Sequence, residues 1–244
     1  MSSLASTLEH CPHDYQVSCS DCRLAKICLP LALETDDVDR LDKIIQRGRP
    51  LQKGDHLYRD GEKFSAVYAV RSGCLKSFHI TDDGREQVTG FYFPGEVLGM
   101  DGINKNIHAC SAKALETSAV CEIPFTRLED LSAKIPNLQR HFFQLMSREI
   151  IEDQQLITLI SKNSAEERVA ALMLSISARN SRRNLSAHNF RLPMSRIDIG
   201  NYLGLTVETV SRVFSRLQKL GVLTVSNKEI HIDDLVELRG IANI

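Results

Sequence analysis

The chain has 244 residues, 43% of them hydrophobic and 25% charged, with a formal net charge of −1. That balance excludes a disordered or collagen-like polymer, and no apolar run approaches the roughly 18 residues a membrane span needs. The first residues, MSSLASTLEH, carry no export signal, so a cytoplasmic protein with reduced thiols is expected, and a disulfide framework is not. The near-zero net charge hides a basic block, 9 Lys/Arg against 2 Asp/Glu between Arg168 and Lys219. Such a block is either a phosphate-binding face or solvated surface.

The segment up to Pro30 is polar and irregular, and it holds Cys11, Cys19, Cys22 and Cys28, four of the seven cysteines. It cannot build a core of its own, so a metal or its neighbours must order it. The spacing Cys19-x2-Cys22-x5-Cys28 is compact enough to wrap three thiolates around a metal or cluster, without choosing between zinc and iron–sulfur. Cys11 is a possible local fourth ligand. Leu31 to Arg47 reads as a short helix. From Arg49 to Pro124, β-prone runs (Val67–Val70, Leu75–Ile80, Val88–Phe93, Ala119–Ile123) alternate with glycine-containing turns, which predicts an antiparallel sandwich or jelly roll. Cys74, Cys110 and Cys121 fall among apolar residues there, where a buried strand thiol is the default.

A long helix is predicted from Pro136 to Ser161. Phe143, Met146, Ile150, Asp153, Ile157 and Ile160 follow a 3-4-3-4-3 spacing, either the seam of a helix that pairs with a partner or part of one wide core face in a monomer. Leu138, Phe142, Leu145, Leu156 and Leu159 form a second stripe suited to packing on the β-domain. A helix follows over Ala165–Arg179, then a polar loop at 181–191. Ser195–Leu203 reads as a helix with Ile197, Ile199, Tyr202 and Leu203 as packing positions. Gly204 stands where a tight turn needs positive φ, Thr206 can cap a second helix over Val207–Leu220, and Gly221 stops it. On that helix Val210, Val213, Phe214 and Leu217 share an inner face, and Glu208, Ser211, Arg212 and Ser215 an outer one. This is a helix-turn-helix pattern, and Leu223–Val225 with Ile230–Ile232 reads as its β-wing. The outward Arg and Glu suit guanine and cytosine edges in a major groove.

A jelly roll, a long dimerisation helix and a winged helix-turn-helix in this order resemble the Crp/Fnr superfamily of bacterial transcription regulators. The string from Gly200 to Arg212, with its Glu208-x-x-Ser211-Arg212 set, closely resembles the Fnr branch (the Fnr/Anr type). The resemblance implies an α+β protein: a cysteine-rich segment (1–30), a jelly-roll sensor domain (31–134), a dimerisation helix (135–163) and a winged-helix DNA-binding domain (164–244). It implies base reading by Glu208, Ser211 and Arg212, beside Val207 and Thr206, in palindromes of the TTGAT…ATCAA type. It also implies a 4Fe-4S cluster whose fourth ligand lies in the stretch resembling Ser118–Pro124, which makes the set Cys19, Cys22, Cys28 and Cys121. Oxygen would convert the cluster to a 2Fe-2S form and lower DNA affinity, and nitric oxide is a second possible signal. RNA polymerase is the implied protein partner, through the hairpin Asp82-Asp83-Gly84-Arg85. Cyclic nucleotide is not expected, because Gly95-Glu96 is not followed by the Arg-Ser pair that binds the cyclic phosphate; Met100 to Ser111 has no Arg. A zinc- or thiol-redox-dependent regulator is the alternative reading. No enzyme is expected, since Cys19-x2-Cys22 lacks the βαβ setting of a thiol oxidoreductase.

Overall fold

A computed structural model describes residues 17–243. After the cysteine loop, a 3-10 turn at Leu29–Ala32 leads into α1 (Thr35–Asp42). Eight strands follow: β1 (Gln46–Arg47), β2 (His56–Tyr58), β3 (Ala66–Ser72), β4 (Leu75–Ile80), β5 (Glu86–Tyr92), β6 (Val97–Leu98), β7 (Ser111–Ala114) and β8 (Ala119–Pro124). They form two antiparallel four-stranded sheets, ordered β1-β8-β3-β6 and β2-β7-β4-β5. β3 reads as one continuous apolar run because it is buried on both faces. Ala66, Tyr68 and Val70 face the interior of the roll with Leu75, Leu98 and Ala112. Val67 and Ala69 face a second core shared with Leu29, Leu41, Leu138 and Phe142.

The helices α2 (Phe125–Ser132), α3 (Pro136–Lys162) and α4 (Ala165–Arg182) come next. Proline in the first turn of α3 costs no hydrogen bond, since that amide has no intrahelical acceptor. α3 gives way to α4 at Ser164, whose side chain and Glu167 form a reciprocal capping box. Then come β9 (Asn189–Arg191), α5 (Arg196–Leu203), α6 (Val207–Lys219), β10 (Leu223–Ser226), β11 (Glu229–Ile232) and α7 (Leu235–Ala242). The C-terminal core is continuous with the roll: Val88, Phe91 and Phe93 share one apolar cluster with Met173, Ile199, Leu203 and Phe214.

The structure departs from the sequence expectations in four places. The helix expected over Leu31–Arg47 is only α1, because residues 46–47 are taken up as a strand pairing with β8. The polar stretch 181–191 is not all loop: α4 runs through Arg182, and β9 joins the wing as its third strand, order β10-β11-β9, anchored by buried Phe190. Ile197 is 60% exposed rather than packed. The short helices α2 and α7 add to the expected elements; each closes the core with one fully buried leucine, Leu128 and Leu238.

Candidate functional site

α5 starts at a capping box in which Asp198 N–H donates to Ser195 Oγ (3.1 Å) and Ser195 N–H donates to Asp198 Oδ2 (2.8 Å). Gly204 ends it at φ +64, in the left-handed region. Gly200 is needed for a different reason: a Cβ there would lie 2.5 Å from the Leu205 carbonyl oxygen, so only glycine lets the turn fold back this closely. α6 is capped by Thr206, whose Oγ1 accepts from Thr209 N–H (3.2 Å). Val210, Val213, Phe214 and Leu217 are buried, which leaves Glu208, Ser211, Arg212 and Ser215 exposed with Val207 and Thr206 at the leading edge.

Ser211 and Ser215 donate to backbone carbonyls one turn back (2.8 and 3.0 Å), and Arg212 leans on Thr209 Oγ1 (3.1 Å). Hydrogen bonding from its own backbone amide and from Thr206 holds the Glu208 carboxyl below the usual range, so it is an ionised acceptor. The outer face of α6 therefore offers one exposed acceptor-only and one exposed donor-only group, chemistry suited to base edges.

This unit is fixed to the roll. Lys76 on β4, 5% exposed at its side chain, pairs with Glu86 on β5 and with Asp198 on α5 (2.7 Å). Gln87 donates to the Asn201 carbonyl, and Phe91 packs on Tyr202 at 4.9 Å between ring centroids. Arg179 on α4 donates to the Phe91 carbonyl (2.7 Å) and reaches Glu96 and Glu152 (3.3 Å each). Glu96 also accepts from Phe93 N–H (2.9 Å), so the Gly95-Glu96 pair is a turn tied into the junction. None of these inter-element ties has a local sequence signal, because each partner lies far away in the chain.

The second cluster of expected residues is the cysteine loop. Its turns are closed by Ala25 N–H to the Cys22 carbonyl (2.9 Å) and Cys28 N–H to the Leu24 carbonyl (3.0 Å). Cys121 sits on β8, opposite Arg47 of β1 in the ladder. Cys19, Cys22, Cys28 and Cys121 all line one small pocket, walled by Leu24, Leu29, Ile45, Ala69 and Ile123, with Arg47 and Arg71 at its side. Among the described residues, no three Cys, His, Asp or Glu side chains yet stand close enough to grip a metal ion.

Burial, helped by Asp42, raises the Cys19 thiol well above its ordinary value. Burial pushes Cys28 up to about 12 and raises Cys121, against which Arg47 and Arg71 act. These are protonated thiols at neutral pH, and a metal must displace their protons. The Nε of Arg47 is buried without a hydrogen-bond partner. A soft four-thiol donor set, apolar walls and one unpartnered guanidinium N–H fit a thiolate-bound metal or cluster. Cys74 and Cys110 are buried in the roll, away from this pocket; Cys11 lies outside the described residues.

Of the expected seam on α3, Phe143 (56% exposed), Ile150 (58%), Ile157 (68%) and the exposed Asp153 face outward. Met146 is half-buried against the roll's core, and Ile160 is half-buried beside the Gly204 turn. On the second stripe, Leu138 and Phe142 are buried in the core beneath β3, as expected, and Leu145 packs against it.

Residues 167–241 match the family of Crp-like helix-turn-helix domains, and residues 48–134 match the family of cyclic nucleotide-binding domains. The chain is 54% identical over 227 residues to the transcriptional activator protein Anr of Pseudomonas aeruginosa, covering 93% of each chain. It is 48% identical over 226 residues to the fumarate and nitrate reduction regulatory protein of Salmonella typhimurium, covering 93% of this chain and 90% of that one. Among solved structures, FixK2 of Bradyrhizobium japonicum superimposes with a TM-score of 0.75 at 30% identity, over 81% of this chain and 97% of that one.

Proposed function

The chain belongs to the Crp/Fnr family of transcription regulators, and from that premise we propose that it is an oxygen-responsive member. In this reading it is a homodimer that carries a 4Fe-4S cluster on Cys19, Cys22, Cys28 and Cys121. It binds palindromic TTGAT…ATCAA-type promoter sites when oxygen is absent and so controls anaerobic gene expression. The observation that supports it most is the convergence of three loop cysteines and one strand cysteine, about a hundred residues apart in sequence, on a single pocket. Names of relatives point the same way: anaerobic regulatory proteins of Haemophilus influenzae and Pasteurella multocida are 48% and 49% identical to it.

When bound, the cluster supplies the oxygen sensitivity. The protein's part is mechanical. Cys28 and Cys121 pack against the same core as Leu138 and Phe142 of α3, so tightening the loop onto β8 changes the packing under the dimerisation helix. That bias acts on an association seam formed by Phe143, Ile150, Asp153 and Ile157, with Met146 and Ile160 at its edges. Two α6 helices, held at fixed spacing by the dimer, then read the two half-sites with Glu208, Ser211 and Arg212. We assign segments 1–30, 31–134, 135–163 and 164–244 to cluster binding, sensing, dimerisation and DNA binding. RNA polymerase would meet the exposed Asp82–Arg85 turn, where Asp83 and Arg85 pair with each other. The protein acts by binding, without catalysis and without cyclic nucleotide.

Anaerobic purification with iron and sulfide analysis tests the reading, and the visible spectrum separates it from a colourless zinc site. Cys121→Ala is expected to lose the iron and anaerobic DNA binding, and Cys11→Ala to keep both. The reverse pattern would make the site a local four-thiol one and overturn the assignment.

A further inference from the structure

Arg47 joins the two halves of the cysteine pocket. On the strand side it stands opposite Cys121 in the β1–β8 ladder. On the loop side its Nη2 donates to Cys19 Sγ (3.8 Å) and to Asp42 Oδ1, and that same Oδ1 accepts from Cys19 N–H (2.7 Å). The guanidinium therefore contacts the first cysteine directly and also holds the carboxylate that holds its backbone. Its Nε points nowhere within the protein: it is buried and has no acceptor. Burying a guanidinium N–H without a partner is costly unless an acceptor arrives. The pocket that Arg47 lines is also walled by four thiols, which become acceptors once ionised.

We propose that Arg47 is the positioning residue of the thiolate site: it docks the cysteine loop on β8 and donates N–H···S hydrogen bonds that offset the negative charge gathered there. This rests on the cysteine-site reading above, though not on whether zinc or iron–sulfur fills the site. Two consequences follow. Loss of the guanidinium weakens metal binding, because the loop loses its clamp and the thiolates lose their counter-charge. It also moves the reduction potential of an iron–sulfur occupant to a more negative value, because hydrogen bonds to sulfur favour the more reduced, more negative state.

The test uses full-length, thiol-reduced protein under anaerobic conditions, with cobalt(II) as the probe, read by its thiolate charge-transfer bands in competition with a chelator. Arg47→Met is expected to weaken cobalt binding on the order of 10- to 100-fold, as loss of a ligand's hydrogen-bond partner does at other metal sites. Arg47→Lys keeps a charge but not the fork, so it protects the proposal against a misfolded Met variant and should fall between Met and wild type. Asp42→Asn separates clamp from charge. It should loosen binding as a clamp defect without lowering the potential of iron–sulfur-reconstituted protein, because it removes a negative rather than a positive charge, whereas Arg47→Met and, to a smaller extent, Arg47→Lys lower that potential. Cobalt affinity and potential unchanged in both Arg47 variants would overturn the proposal while leaving the cysteine site standing. Wild type that takes up neither cobalt nor iron would instead overturn the cysteine site itself, and this proposal with it.

Discussion

Arg212 and Glu208 occupy the first two turns of α6 on its exposed side, and the fold claims only part of their bonding capacity. Arg212 spends one N–H on Thr209, which orients the side chain without saturating it. A guanidinium that grips guanine O6 and N7 with two bonds discriminates by about 1–3 kcal/mol per half-site. Arg212→Ala is therefore expected to weaken operator binding by that amount and to relax preference at one base position, with Glu208→Ala acting at a different position. Binding titrations against operators carrying each base at each position check this. A uniform loss across all bases would make Arg212 a phosphate contact instead. Their placement was legible in the sequence, because the capping Thr206, the turn glycine and the 3.6-residue period together decide which side of a short helix faces out. The need for glycine at 200 is not legible there, since it is set by the Leu205 carbonyl across the turn.

At the level of elements, α3 is held to the roll by a partly buried polar contact beside its apolar stripe. Tyr92 on β5 donates to Glu149 Oε1 (2.7 Å). Burial, aided by the nearby Glu152, Asp153 and Glu96 carboxylates, raises the Glu149 carboxyl from 4.5 to about 7, and the tyrosine hydrogen bond only partly opposes this. The folded chain thus keeps a proton that the unfolded chain gives up. The stability this contributes is fully present below pH 4.5 and is lost as pH rises through about 7. A shift of this size corresponds to about 3 kcal/mol. Glu149→Gln keeps an acceptor for Tyr92 and removes the titration. Thermal melts of the metal-free protein from pH 4.5 to 8 should show a falling melting temperature in wild type and a flatter profile in the variant. Parallel curves would show that Glu149 is solvated and ordinary. A helix periodicity reveals the stripe on α3 but not this contact, because Glu149 lies on the polar side of the pattern and meets its partner 57 residues away.

In the whole molecule, the exposed row on α3 and the pocket at Cys121 are joined through one core. Asp153 interrupts the row between Ile150 and Ile157, and partial desolvation together with the Glu152 carboxylate already raises its carboxyl above the usual value in a single chain. In a parallel pair of α3 helices the two copies of Asp153 would approach one another, so repulsion and desolvation would oppose association while the isoleucines favoured it. An equilibrium balanced in this way would respond to a small bias from the cysteine pocket. Asp153→Ala is expected to dimerise in air and to bind operator DNA there, with a dissociation constant lower on the order of tenfold, about 1.4 kcal/mol. Analytical ultracentrifugation of the aerobic variant measures this; a monomer at concentrations where wild type is monomeric would sink the mechanism. Lowering the pH toward the Asp153 pKa should mimic the variant in wild type, since protonation removes the same charge.

Elements whose cause is local were legible in the chain: strand and turn alternation in the roll, the long helix that begins at Pro136, the capped helix pair and its exposed outer face. Each follows from side-chain period, capping chemistry and glycine's conformational range, which act over a few residues. The sequence also held the spacing of three cysteines, but spacing alone left the fourth open between Cys11 and, by family resemblance, Cys121. Tertiary structure decided what depends on partners far apart in the chain. It folded residues 46–47 into a strand, so that Arg47 stands across from Cys121. It drew Asn189–Arg191 into the wing, and it docked α5 on the roll through the buried Lys76. Those outcomes depend on ladders and ion pairs closed between distant segments, and a linear pattern does not encode which distant segment will arrive.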